Sequence, residues 1–113
     1  MTCESWQVVV VPSPFTDRAT TKRRPALVLS AKAFNRHGYS VLAMITSASH
    51  QPWPGDTPIR DMKNVGLKTP SLVRLKLFTL DNRFIARRIG TLGSPDQTSV
   101  ATRLRAFVPV LAD

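Results

Sequence analysis

Chemistry on this chain would have to come from arginine, threonine, serine or histidine. The side chains that announce other reactions are absent or wrongly spaced. Cys3 is the single cysteine, and with His37 and His50 it cannot supply the roughly four closely spaced ligands of a structural zinc. The five glycines are scattered and build no phosphate-cradling loop. No Gly-x-Ser-x-Gly elbow presents a serine nucleophile. The acids Glu4, Asp17, Asp56, Asp61, Asp81, Asp96 and Asp113 form no sequence pair that flags a metal-dependent nuclease. What remains is an Arg-Arg-Pro run at residues 23–25, a Thr46-Ser47 step followed by His50, and Arg74 close to Lys76. A guanidinium offers paired hydrogen bonds to an oxyanion and a hydroxyl offers one more. Imidazole changes charge near neutrality. Together these groups suit an anionic substrate and require neither metal nor cofactor.

The balance of charge points the same way. Sixteen Lys and Arg stand against seven Asp and Glu, a formal net charge of +9. Such an excess attracts polyanions. Nucleic acid ranks first as a partner and an acidic protein second. A membrane surface ranks third, because no strongly basic amphipathic helix stands out. With 113 residues, 42% of them hydrophobic and 20% charged, the chain reads as one folded domain spanning 1–113. The apolar run at residues 8–11 is far short of the ~20 residues of a membrane span. No signal-peptide pattern opens the chain, so a cytoplasmic location is expected. One cysteine allows no internal disulfide, and Cys3 is expected to be a spectator in a frayed terminus.

The elements that must position these groups follow from periodicity. Residues 7–11 are a continuous β-branched run and read as a buried strand stopped by Pro12 and Pro14. Residues 15–23 form a polar loop, and 25–29 a second strand. Ser30 is placed to cap a short helix over 31–36 that Gly38 ends. Residues 40–46 read as a third strand and 47–58, rich in proline, as a loop. One helical turn is expected over 61–65, a strand over 71–79, turn residues at Asp81 and Asn82, and a last strand over 84–89. Ser94, Pro95 and Gln97 mark a helix start. Val100, Leu104, Phe107, Val108 and Leu111 give that helix an apolar face, and Pro109 ends or kinks it. Five short strands and a terminal helix point to a mainly β fold, a small curled antiparallel sheet or barrel.

Five segments, in order, resemble the MazF/PemK toxin family: VVVVPSPFTD (8–17), KRRPALVLS (22–30), MITS (44–47), PSLVRLKLFTLD (70–81) and RRIGTL (87–92). The resemblance spans roughly residues 6–111. It implies a small SH3-like β-barrel, shared with CcdB, with a C-terminal α-helix and one or two short helices, commonly a homodimer. It implies cleavage of single-stranded RNA and inhibition by an acidic, partly disordered antitoxin. The family's catalytic arginine corresponds to Arg24, its catalytic threonine to Thr46, and a further arginine to Arg74. RNA carries its own nucleophile, the 2′-hydroxyl, so a protein need only align it, move protons and stabilise charge.

On this reading Arg24 meets the scissile phosphate, Thr46 and Ser47 donate to its oxygens, and Arg74 adds charge. His50 is a contact or a proton carrier. Lys22, Arg23 and Lys76 add basic contacts to RNA. Phe15 and Thr16 complete the RNA-binding set, Phe15 as a stacking face. Trp53, between Pro52 and Pro54, is expected to pack against the barrel or a partner subunit. The chain departs from the family at three places. Trp6 replaces a usual glycine and Gln7 the acid after it. Ser13 stands where phenylalanine is common. Lys76 occupies a region where some members carry an acid linked to proton transfer. Two other readings remain open: a gyrase poison of the CcdB type, acting through the C-terminal helix end, and an RNA-binding protein without catalysis.

Overall fold

Val8, Val9 and Val11 are completely buried, so the strand that carries them has protein on both faces. The computed structural model describes residues 1–13 and 22–111. It contains β1 (Gln7–Pro12), β2 (Arg23–Val28), a one-turn helix α1 (Lys32–Asn35), β3 (Tyr39–Ser47), the two-residue β4 (Thr57–Pro58), the long β5 (Ser71–Asp81), β6 (Arg87–Thr91) and helix α2 (Ser94–Phe107). The strands form one sheet in the order β4-β5-β3-β2-β1-β6, antiparallel at every pairing. The result is the mainly β, curled sheet with a C-terminal helix that the sequence pattern implies, a half-barrel.

Alternation along the strands sorts the core into two layers. Val8, Leu27, Ala43, Ile45 and Val73 meet Ile59, Val65, Leu92 and the α2 residue Val100 on one face. Val9, Val11, Ala26, Val28 and Leu42 meet Cys3 and Ile85 on the other. Cys3 is 1% exposed, so the expectation of a frayed terminal cysteine is corrected: the N-terminus is tucked under the sheet. Trp6 packs against the first layer and holds φ at +73°, a left-handed value that costs a side-chain-bearing residue about 1 kcal/mol. This is the position where glycine is usual in the resembling family. Here the bonds from Trp6 N–H to the Val28 carbonyl at 2.7 Å and from Leu92 N–H to the Trp6 carbonyl at 2.8 Å hold the strained backbone.

Several expected elements differ, each for a local reason. Ser30 does not cap α1, whose N-cap is Ala31 without a side-chain bond. Its hydroxyl instead donates to Asn35 Oδ1 and accepts from Val41 N–H. The helical turn over 61–65 is absent, and carboxylates fix the backbone there instead. Asp96 accepts from Arg60 and Asp61 N–H, and Asp61 from Lys63 N–H. Gly66 then turns the chain at φ +74°, so close to β6 that a Cβ would stand 2.1 Å from the Ile89 carbonyl oxygen. The last strand starts at Arg87, not 84. Asp81 accepts from Arg83 N–H and winds residues 82–84 into a 3-10 turn, and Ile85 is a lone plug in the second layer. The sixth strand is β4, a short pairing of Thr57 and Pro58 with β5 inside the expected loop. Helix α2 has Gly93, not Ser94, at its N-cap. It ends at Phe107 before Pro109, and its apolar stripe outruns the core: Val100 is buried, while Phe107 and Leu111 are exposed.

Where β2 ends and β3 begins, four polar side chains close on one another. Ser30 and Asn35 pair as described, and Asn35 Nδ2 donates to the carbonyls of Cys3 and Ser30 at 2.8 and 3.0 Å. Asn82 Nδ2 donates to the Asn35 carbonyl at 2.6 Å, and Ser40 Oγ to Asn82 Oδ1 at 2.7 Å. Among the described residues, no buried side-chain N or O lacks a partner.

Candidate functional site

The opposite end of the sheet is built differently. Antiparallel pairing brings the end of β1, the start of β2, the end of β3 and the start of β5 together. Ala26 faces Met44, so the same register carried two residues further sets Arg24 against Thr46. Both continue the face of the second core layer, past Ala26 and Met44. On the other side of β3, Met44 pairs with Arg74 whereas Ala43 pairs with Leu77. The register therefore slips at this point, with Leu75 and Lys76 accommodated as a bulge. Bulges bend a strand and re-aim its side chains, and here Arg74 and Lys76 both line the same cleft.

Two adjoining clefts result. One, of about 200 Å³, is lined by Ser13, Arg24, Met44, Thr46, His50, Arg74 and Lys76 among others. Its neighbour, of about 210 Å³, shares Arg24, Thr46 and His50 and adds Ser47, Lys68 and Thr69. Arg24, Lys68, Arg74 and Lys76 thus line a continuous groove without an acid among the lining residues. A concave site lined by cations raises the local concentration of anions.

Within the groove, Thr46 Oγ1 lies 2.5 Å from His50 Nδ1. The bond is local: a tight turn after β3, with His50 N–H on the Ser47 carbonyl at 3.2 Å, folds His50 back over the strand end. Ser47 Oγ stands 2.9 Å from Ser49 Oγ. Arg24 is half-buried and makes no ion pair among the described residues. Arg74 is held tightly. Its Nε and Nη2 donate to Asp56 at 3.1 and 3.0 Å, and Nη2 also to the Gln51 carbonyl at 2.8 Å. Arg74 Cζ and Lys76 Nζ lie 5.5 and 5.7 Å from the centre of the Trp53 ring.

The groove thus gathers Arg24, Thr46, Ser47, His50, Arg74 and Lys76. Lys22 and Arg23 are exposed beside it and line neither cleft. Phe15 and Thr16 lie outside the described residues. Sequence reasoning missed Asp56, Lys68 and the placement of Trp53. Asp56 sits far from Arg74 in sequence, and the Pro-Gly-Asp turn at 54–56 was the available sign that the chain reverses there to bring them together. Gln7, in the place of the acid usual in the resembling family, is buried and accepts from Glu4 N–H at 2.8 Å, away from the groove. Among the described residues no three of His, Cys, Asp and Glu are grouped as metal ligands, and no helix is long and apolar enough to cross a membrane.

This geometry has relatives. The family model for PemK-like, MazF-like toxins of type II toxin–antitoxin systems matches residues 4–108. Among solved structures, a mycobacterial endoribonuclease in complex with its cognate antitoxin is similar at TM-score 0.76 and 17% identity, covering 96% of each chain. MazF from Deinococcus radiodurans is similar at TM-score 0.74 and 21% identity, covering 96% of this chain and 98% of that one. The Mycobacterium tuberculosis toxin MazF-mt6 is similar at TM-score 0.70 and 22% identity, covering 88% and 93%. No curated protein sequence matches.

Proposed function

The chain belongs to the PemK-like, MazF-like toxins of type II toxin–antitoxin systems, a family of endoribonuclease toxins, and we propose that its groove cleaves single-stranded RNA without a metal. The observation that carries this is the placing of Arg24, which has no ion pair among the described residues, beside the Thr46–His50 hydrogen bond in a groove lined by four cations. Arg24 binds the non-bridging oxygens of the scissile phosphate with paired hydrogen bonds. Thr46 donates a further bond, Ser47 supports it, and Arg74 and Lys76 stabilise the added negative charge. The 2′-oxygen bonds to phosphorus as the bond to the 5′-oxygen breaks. A proton leaves the 2′-hydroxyl and one reaches the departing oxygen. His50 is the groove's titratable group suited to carry it. The products are a 2′,3′-cyclic phosphate and a 5′-hydroxyl. DNA, lacking the 2′-hydroxyl, binds without being cut.

The proposed partners are the RNA, an acidic antitoxin and a second copy of the chain. The cationic groove suits the first two, and the exposed Phe107, Val110 and Leu111 suit the third. Cytoplasmic action follows from the substrate.

The test is incubation of a long single-stranded RNA with the protein in EDTA, followed by end-group analysis. Cleavage leaving cyclic or 3′-phosphate ends is expected for the wild type, with Arg24→Ala and Thr46→Ala reduced at least a hundredfold, the scale of losing one oxyanion donor. Intact RNA after treatment with folded wild type at high concentration removes the proposal.

A further inference from the structure

Trp53 is 41% exposed, although an indole ordinarily gains from cover. The turn that carries it is nonetheless fixed. Trp53 N–H donates to Asp56 Oδ2 at 2.9 Å, and Asp56 N–H returns to the Trp53 carbonyl at 3.1 Å. The same carboxylate grips Arg74, so one acid orients both the turn and the guanidinium beside the ring. Gly55, at φ +80°, is pressed on Leu75 and Phe107 so closely that a Cβ would meet Leu75 Cδ1 at 2.6 Å. Pro52 and Pro54 remove further freedom. The indole is anchored by its backbone and open at its ring.

A fixed, partly exposed aromatic ring with two cations over it, at 5.5 and 5.7 Å from its centre, meets the needs of one unpaired nucleobase. The ring offers a face for stacking, and the cations receive the flanking phosphates. We propose that Trp53 is the platform on which a base of the single-stranded RNA stacks, seating the strand so that a neighbouring phosphate falls beside Arg24 and Thr46. The proposal rests on the RNA-cleaving reading of the groove and adds a recognition element to it. Stacking reads no base edge, so Trp53 sets the position of the strand, while hydrogen bonds elsewhere set the sequence. Asp56 acts through Trp53 and Arg74 and is a positioning residue.

The experiment uses wild type, Trp53→Phe, Trp53→Leu and Lys76→Ala. Each is titrated with an end-labelled single-stranded RNA whose 2′-hydroxyls are methylated, over a series of salt concentrations, and each is assayed on cleavable RNA. Trp53→Leu is expected to weaken binding roughly ten- to a hundredfold, with Trp53→Phe keeping most of the affinity. The slope of log affinity against log salt stays at the wild-type value for both, whereas Lys76→Ala flattens it by about one unit. RNA also quenches the emission that wild type has over Trp53→Phe, a reading independent of whether Trp53→Leu folds. Wild-type affinity in folded Trp53→Leu, or no quenching at saturating RNA, overturns the platform while cleavage by wild type keeps the RNA reading. Quenching and tight binding without cleavage of unmodified RNA overturn catalysis and keep the platform. Absence of RNA binding by wild type overturns both.

Discussion

At the end of the sheet where β3 begins, Ser30, Asn35, Ser40 and Asn82 bond to one another and to backbone carbonyls, and Asn35 is fully buried. At the end where β3 finishes, Arg24 is half-buried without an ion pair among the described residues, and Thr46 and His50 lie open in a cation-lined groove. Both ends are rich in polar groups. The first spends them on itself, which fixes the N-terminus, α1 and β5 to the sheet. The second gathers its cations around a groove open to an outside anion, with Arg24 free of ion pairs among the described residues. Buried, mutually satisfied polar groups stabilise and specify a fold. Concentrated, unsatisfied ones mark a site.

The comparison breaks most sharply at Asn35. Asn35→Ala removes three side-chain hydrogen bonds and strands the carbonyls of Cys3 and Ser30. A loss of about 3 kcal/mol is expected in urea unfolding, since each buried group left unpaired costs roughly 1–3 kcal/mol. Cys3 reports the same event. Burial pushes its thiol up from the ordinary value, and nearby Arg88 and the N-terminus only partly oppose that. The thiolate is the reactive form, so alkylation is slow in the wild type and faster in the variant. An Asn35→Ala protein as stable as wild type would dissolve the contrast.

Asp56 is an acid that pairs with one of the groove's cations. Its carboxylate and the Arg74 guanidinium are 13% and 15% exposed. Asp56→Ala is expected to cost about 1–2 kcal/mol, between an exposed pair and a buried one. It frees Arg74 and removes a negative charge, so the salt dependence of RNA binding steepens by about one unit. Turnover falls, because Arg74 and the Trp53 turn lose their anchor. Binding and cleavage assays on one preparation separate the two effects, and a parallel rise in both would contradict the positioning role.

The smallest effect belongs to Asp81 and Arg83, an ion pair near the satisfied end whose arginine side chain is 82% exposed. The side-chain and backbone hydrogen bonds from Arg83 hold the Asp81 carboxyl below its ordinary value. The pair therefore contributes stability above the ordinary carboxylate range and loses it as pH falls through the depressed midpoint. In Arg83→Ala the midpoint moves back up toward the ordinary carboxylate value, and the stabilities of the two proteins converge at acid pH. Carboxyl NMR titration with parallel denaturation reads both. A large stability difference at neutral pH would show that an exposed pair does more than the comparison allows.

How much of this was legible depended on whether the signal was local. The apolar, β-branched runs of β1, β2 and β3 announce themselves within a few residues and deliver most of the sheet, whereas Arg24 and Thr46 were singled out by the family resemblance. The Ser30 cap failed because a distant strand, through Val41, competed for the same hydroxyl. At 61–65 the chain is held instead by Asp96, on α2, which accepts from the Arg60 and Asp61 N–H groups, a partner far away in sequence. Asp56 was invisible as Arg74's partner for the same reason. Trp53 was expected to pack against the barrel or a partner subunit, and in the single chain it is 41% exposed. Its exposure follows from the turn Asp56 closes and from cations brought alongside by the bulge in β5, neither of which is written near it in the sequence.

The most direct test of the contrast is one preparation each of wild type, Arg24→Ala and Asn35→Ala, carried through urea unfolding and RNA cleavage in EDTA. The account predicts that Arg24→Ala unfolds at or above the wild-type midpoint and does not cut. It predicts that Asn35→Ala unfolds earlier, yet cuts at the wild-type rate per folded molecule. An Arg24→Ala protein that still cuts, or that loses activity only because it unfolds, would contradict it.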